Sequence, residues 1–109
     1  MERYELENLP VREPTPGFRG KFVHTENMTV AYWNIAAGSA MKPHSHPHEQ
    51  VTLVLAGEFE MEIGGAKHHL RKGSVLLIPP SEAHGGRALQ DCVLLDVFHP
   101  VREDLRAMS

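Results

Sequence analysis

The sequence predicts an all-β fold, a barrel or sandwich of short strands in one domain. Three observations carry this expectation. The chain has 109 residues, which fits one domain and no more. Glycines and prolines punctuate it at short intervals, from Pro14-Thr15-Pro16-Gly17 to Gly85-Gly86 and Pro100. Between them lie segments of four to nine residues rich in Val, Leu, Ile, Phe and Tyr. Folding at this length hides roughly 65% of the unfolded surface, a core with little margin. A homodimer is therefore expected.

Taken in order, residues 1–16, "MERYELENLPVREPTP", read as an N-terminal arm lying on the body or on a partner, and residues 17–109 as the β-barrel domain. The arm carries acids and arginines where a signal peptide would need an apolar stretch. No apolar run approaches the ~20 residues of a membrane span. "MTVAYWNIA" (28–36), "QVTLVLA" (50–56), "EFEMEI" (58–63), "SVLLIP" (74–79) and "CVLLDVF" (92–98) are strand candidates. "EFEMEI" alternates acid and apolar, the mark of a strand wet on one side. "VTLVLAGEFEMEIGG" reads as a hairpin turning at Gly57-Glu58. The only helix signal is in the tail, 101–108. Lysine plus arginine number 11 against 14 acids, a net charge of −3, with no basic stripe, which argues against nucleic acid. Cys92 is the single cysteine, so no internal disulfide exists, and a reducing cytoplasmic compartment is expected.

"MKPHSHPHEQ" (41–50) packs three histidines, a glutamate and a glutamine into ten positions. Residues two apart on a strand share a face, so His44 and His46 present two imidazoles side by side. Gln50 has the same parity, provided the strand resumes after Pro47, and so does His48. Glu49 has the other parity. Gln50 is the favoured further ligand, with Glu49 or His48 as substitutes. His84 is the best candidate from elsewhere, because it follows a strand stopped by Pro79-Pro80. His68 and His69 are adjacent, so at most one faces inward, and both read as surface residues of a strand. His24 and His99 read as structural or exposed, and Cys92 as a small buried hydrophobe.

With these residues in view, "GSAMKPHSHPHEQVTLVLAG" (38–57) resembles the first motif of the cupin superfamily, and "GSVLLIPPSEAH" (73–84) the second. The 15 residues between Gly57 and Gly73 match the short end of the family's spacing. The resemblance implies a single cupin-type jelly-roll β-barrel with one divalent transition metal held by His44, His46, Gln50 and His84. Departures are Gln50 for the commoner glutamate, Ser81 for the usual glycine and Ala88 for an asparagine. Neutral nitrogen and oxygen donors without thiolate suit Ni, Zn, Fe, Mn or Co. A glutamine in place of glutamate leaves the ion's double charge uncompensated and the Lewis acid stronger.

In "DCVLLDVFHPVRED" (91–104), Cys92, Leu94, Asp96 and Phe98 share one strand face. Asp96 is thus an acid in an apolar strand, either facing solvent at an edge or facing the cavity, where burial tunes it for proton transfer. The stretch is similar to the small cupins of pectin and alginate breakdown, which linearise 4,5-unsaturated monouronates. That resemblance implies Asp96 as the acid–base residue, with Phe98 and Arg102 shaping the pocket and holding substrate. Arg102 suits a carboxylate through its two-pronged guanidinium, or it pairs with Glu103 or Asp104. The expected partner is a small molecule, a sugar acid. Two other classes compete: another metallo-cupin enzyme (a dioxygenase or sugar isomerase), or a non-catalytic cupin that holds a small molecule. Fold alone separates none of them.

Overall fold

The computed structural model describes residues 1–108. A single 3₁₀ turn, Leu6–Asn8, precedes ten strands: β1 Arg12–Thr15, β2 Phe18–His24, β3 Thr29–Ile35, β4 Ala40–His44, β5 Glu49–Ala56, β6 Glu58–Ile63, β7 Ala66–Arg71, β8 Val75–Ile78, β9 His84–Ala88 and β10 Cys92–His99. One helical turn, α1 Glu103–Arg106, ends the chain within the stretch where the tail's helix signal lay. The last four residues before Pro16 in the expected arm, Arg12–Thr15, form β1 and pair with β2. No helix among the described residues is long and apolar enough to cross a membrane.

All pairings are antiparallel, and the strands form two sheets. The larger has the order β1-β2-β3-β10-β5-β8, the smaller β4-β9-β6-β7. Their inner faces enclose the core, an arrangement of the jelly-roll type. Alternation decides which side chains enter it. On β10, Cys92, Leu94, Asp96 and Phe98 are buried while Val93, Leu95 and Val97 stay half-buried. Phe18, Phe22 and Trp33 meet edge to face, with Phe18 also against Phe59 from the opposite sheet. Edge-to-face contact suits the charge distribution of aromatic rings and adds about 0.5–1.5 kcal/mol per pair beyond burial.

The expected hairpin at Gly57-Glu58 does not form. β5 lies in the larger sheet and β6 in the smaller, so the chain crosses between layers at Gly57. Alternation made both strands half-apolar but carried no information on whether they pair or face each other. Here Val54 and Phe59 enter the core from opposite sheets. Gly57 allows the corner because its φ is +77°, and a Cβ there would collide with the Asp91 carbonyl oxygen.

Candidate metal centre

His44 closes β4, and the chain then leaves the smaller sheet and enters the larger at Glu49. His46 therefore sits in a corner, and strand parity does not explain its pairing with His44. The fold brings the rings together by other means. His84, the first residue of β9, is the cross-strand partner of His44, with ring centroids 4.5 Å apart. The His46 ring lies 5.7 Å from His44 and 5.0 Å from His84. Gly85 and Gly86 let β9 press between its neighbours, since a Cβ on Gly85 would lie 2.7 Å from Met41 O and one on Gly86 2.5 Å from Glu60 O.

The two corners are tied to each other. Ser81 donates its backbone N–H to the His46 carbonyl at 2.8 Å. It does so from a left-handed conformation, φ +65°. This is the position where the resemblance led us to expect glycine, and serine bears a strain of about 1–2 kcal/mol there.

Each of the three rings is oriented by a backbone carbonyl through Nδ1: His44 to Lys42 at 3.2 Å, His46 to His48 at 3.2 Å, and His84 to Glu82 at 2.9 Å. A carbonyl only accepts, so Nδ1 carries the proton in each ring and Nε2 holds the lone pair. One ligand nitrogen from each histidine falls within 4.8 Å of the others. Burial, followed by repulsion from Arg102, holds His46 down at about 4, so its ring is neutral at pH 7. Burial also lowers the pKa of His84.

Gln50 is buried on β5, beside the cluster. Its Nε2 donates to Thr52 Oγ1 at 2.9 Å, which turns Oε1 toward His46 Nε2 at 3.1 Å. Both of those atoms are then acceptors, an arrangement without a proton to share. A cation bound there would reconcile the two lone pairs, and the neutral nitrogen and oxygen donor set suits a divalent ion such as Ni, Zn, Fe, Mn or Co. The alternatives for the further ligand point elsewhere. Glu49 is exposed opposite His99, and His48 donates Nε2–H to the Val101 carbonyl at 3.2 Å. His68 and His69 are exposed on β7. His24 meets Thr29 Oγ1 through Nδ1 at 2.9 Å.

Asp96 faces inward at 7% exposure, which disposes of the solvent-facing alternative. Oδ1 accepts from Thr52 Oγ1 at 2.6 Å, and Oδ2 from Trp33 Nε1 at 3.0 Å. Burial pushes its pKa up to about 6, against the pull of these hydrogen bonds. A continuous line of hydrogen bonds thus runs from Gln50 through Thr52 to Asp96. Sequence reasoning missed Thr52 and Trp33. The available signal was strand parity, which places Thr52 on the Gln50 face and beside Asp96 in register.

Phe98 lies between the site and Arg102. Its ring is 5.6 Å from His46 on one side, and the Arg102 guanidinium carbon is 4.6 Å from its centroid on the other. Arg102 does not offer two free prongs, because Nε and Nη2 both go to Asp104, at 2.9 and 2.7 Å. Those hydrogen bonds hold the Asp104 carboxyl down at about 2. Arg102 presents a fixed positive charge and a remaining Nη1 edge.

His44, Gln50, His84, Asp96, Phe98 and Arg102 all open on one cavity of about 620 Å³. Its walls are largely apolar, with Ile35, Met41, Met61 and Leu94 among them. Pro14–Pro16 closes one side and Leu105 another, and Lys42 adds a second cation that the sequence had not singled out.

This barrel with a histidine cluster inside it defines a class, and the comparisons agree. The cupin-domain family profile matches residues 31–98. The chain belongs to the cupin family. It is 32% identical to the pectin degradation protein KdgF of Dickeya dadantii, over 95% of this chain and 98% of that one. The structure of KdgF from Halomonas sp. superposes with a TM-score of 0.88 at 29% identity, covering 95% of this chain and 99% of that. H2HPP isomerase of Bacillus subtilis is 29% identical over 93% of this chain and 44% of its own length.

Substitution at position 50 tests the donor set. Gln50→Glu should retain metal and bind it more tightly, because a carboxylate adds charge. Competition against a chelator measures this, and unchanged affinity would remove position 50 from the ligands. Turnover should fall, since Thr52 has one hydroxyl proton for two carboxylates and the introduced carboxylate would repel Asp96.

Proposed function

We propose that the chain is a metal-dependent cytoplasmic enzyme, working as a homodimer, that converts 4,5-unsaturated monouronates from pectin or alginate to linear ketouronates by ring opening and tautomerisation. The observation that carries this reading is Asp96, a buried carboxylate opening on the same cavity as the histidine cluster. Likeness to pectin degradation protein KdgF over nearly the whole chain supports the substrate class.

In this mechanism His44, His46, Gln50 and His84 hold the ion, which supplies a Lewis acid for a substrate oxygen when bound. Asp96 moves the proton. Each of its oxygens accepts one hydrogen bond and keeps a further lone pair. With its pKa near 6 it is mostly ionised at neutral pH yet able to return a proton, the balance an acid–base group needs. Trp33 and Thr52 hold the carboxylate in place while its charge changes. Arg102 and Lys42 place positive charge at the cavity for the substrate carboxylate. Phe98 packs between Arg102 and His46, and the apolar walls keep bulk water from the reacting atoms.

A second reading draws on those same walls. Apolar side chains, among them Phe18, Ile35, Met41, Met61, Leu94 and Leu105, line the space, and about 620 Å³ is roomy for a single sugar acid. A metallo-cupin enzyme acting on an enolisable acid with an apolar ring would use them. Side-by-side turnover of an unsaturated monouronate and an enolisable aryl keto acid, with products identified by NMR, tests the proposal. A linear ketouronate formed faster than spontaneously, with the aryl acid untouched, is the expected result. The reverse preference would overturn the uronate reading.

A further inference from the structure

Two histidines outside the metal cluster, His24 and His48, both act on a single peptide. β10 stops at His99 and α1 starts at Glu103. Pro100 and Val101 lie outside both ladder and helix, and Pro100 has no N–H to give. Arg102 projects from the end of this short stretch.

A trans peptide is planar, with its C=O and N–H pointing in opposite directions. The peptide joining Val101 to Arg102 is held on both sides by side chains. His48 donates Nε2–H to the Val101 carbonyl at 3.2 Å. On the other side, Arg102 donates its N–H to Thr29 Oγ1 at 2.9 Å. Thr29 is fully buried, so its own hydroxyl proton needs an acceptor. His24 Nδ1, 2.9 Å away, is in reach. His24 thereby keeps a lone pair of Thr29 turned toward the Arg102 amide.

Each of these imidazoles leaves its second nitrogen idle. His24 Nε2 and His48 Nδ1 are the side-chain atoms buried without a hydrogen-bond partner among the described residues. Such an atom carries a desolvation cost that an apolar ring of the same shape would avoid. Set against that cost, each histidine makes one side-chain hydrogen bond, and both bonds converge on the peptide before Arg102.

His48 also faces the metal centre. Its carbonyl accepts from His46 Nδ1 at 3.2 Å, and its ring meets that of His46 edge to face with centroids 5.3 Å apart. One residue thus orients a candidate ligand through its backbone and the Arg102 peptide through its ring. Asp104 steadies the guanidinium, but it lies on the same segment and moves with it. Placement matters here, because an error of ~1 Å in a positioning group can cost about 10²-fold in rate.

We propose that His48 and Thr29, the latter backed by His24, are positioning residues that clamp the Val101–Arg102 peptide and so aim the Arg102 guanidinium at the substrate carboxylate. What Arg102 binds rests on the uronate reading above. The clamp itself is a matter of geometry and is testable without substrate.

Hydrogen exchange, followed by NMR on the full chain loaded with zinc, tests the clamp. The Arg102 amide should exchange ~10-fold or more faster in Thr29→Val and in His48→Phe than in the parent, because a released loop amide opens locally. Thr29→Ser keeps the hydroxyl and His48→Gln keeps an N–H donor, so both should match the parent. Amides of the β10 ladder should be unchanged, which separates local release from general loosening. Turnover tests the aim. At full metal occupancy, kcat/KM for an unsaturated monouronate should fall about 10-fold in His48→Phe and stay within ~3-fold of the parent in His48→Gln. His48→Phe should cause no further loss once Arg102→Lys is present, since it acts through Arg102. A merely structural histidine predicts the same loss in both backgrounds. Parental exchange at Arg102 in both Thr29→Val and His48→Phe would overturn the clamp. Faster exchange with parental kcat/KM would overturn the aiming of Arg102. A metal-loaded parent that leaves the monouronate untouched would overturn the uronate reading instead, and the exchange rates would still decide the clamp.

Discussion

Asp96→Asn should turn over an unsaturated monouronate ~10²–10⁴-fold more slowly than the parent, the range a general acid–base group supplies, while its metal content is unchanged. The two readouts together isolate proton transfer from ligation. Asn fills the same volume but cannot take and return a proton. Stability reflects two opposed effects. Asp96 has a folded pKa raised to about 6, so it binds a proton more readily folded than unfolded. Its contribution therefore turns unfavourable as pH rises from the unfolded carboxylate range through about 6, and the amide removes that cost at pH 7. Against this, both Trp33 and Thr52 donate to the carboxylate, and an amide nitrogen facing either must lose or reverse a bond worth ~1 kcal/mol. The net change should stay within about 1 kcal/mol by denaturant titration. Parental turnover in Asp96→Asn would leave the carboxylate a structural acid and the proposed mechanism without a proton carrier.

His46→Ala/His84→Ala should lose the metal and, with it, all turnover above the spontaneous rate. These rings contribute two of three histidine nitrogens, and each is aimed by its own carbonyl, so no nearby donor replaces them. His48, the nearest other imidazole in sequence, is committed to the Val101 carbonyl. His84 is 2% exposed, so its truncation also leaves a cavity in the core, and the variant should be less stable by a few kcal/mol. Elemental analysis of folded protein reads the metal directly. Full occupancy in the double variant would place the ion elsewhere.

Much of this was legible in the sequence, for reasons that differ by residue. Alternation put Asp96 and Phe98 on the buried face of β10, because a half-buried strand admits one parity only. His84 stood out through the double proline before it, and the structure shows the reason: the turn holds Ser81 against the His46 carbonyl. Periodicity failed at the two corners. It marked β5 and β6 as half-apolar but not as members of different sheets, and it treated His44 and His46 as neighbours on a strand that in fact ends between them. Thr52 and Trp33 were missed since a hydroxyl and an indole on a core-facing parity look like ordinary packing. Their importance comes from Asp96, which is 44 residues from one and 63 from the other. Arg102 read either as a clamp for a substrate carboxylate or as a partner of Glu103 or Asp104, and Asp104, two residues on, takes both prongs. A local ion pair of this kind depends on the turn into α1, which carries no strong sequence signal.

The central claim is a metal-dependent conversion of unsaturated monouronates at the histidine cluster. Its most direct test follows the ultraviolet absorbance of the 4,5 double bond with the parent protein as purified, after stripping by a chelator, and after a divalent ion is restored. Turnover should fall to the spontaneous rate on stripping and return on reloading. No acceleration by the loaded protein, or an unchanged rate in protein shown by elemental analysis to be metal-free, would contradict the claim.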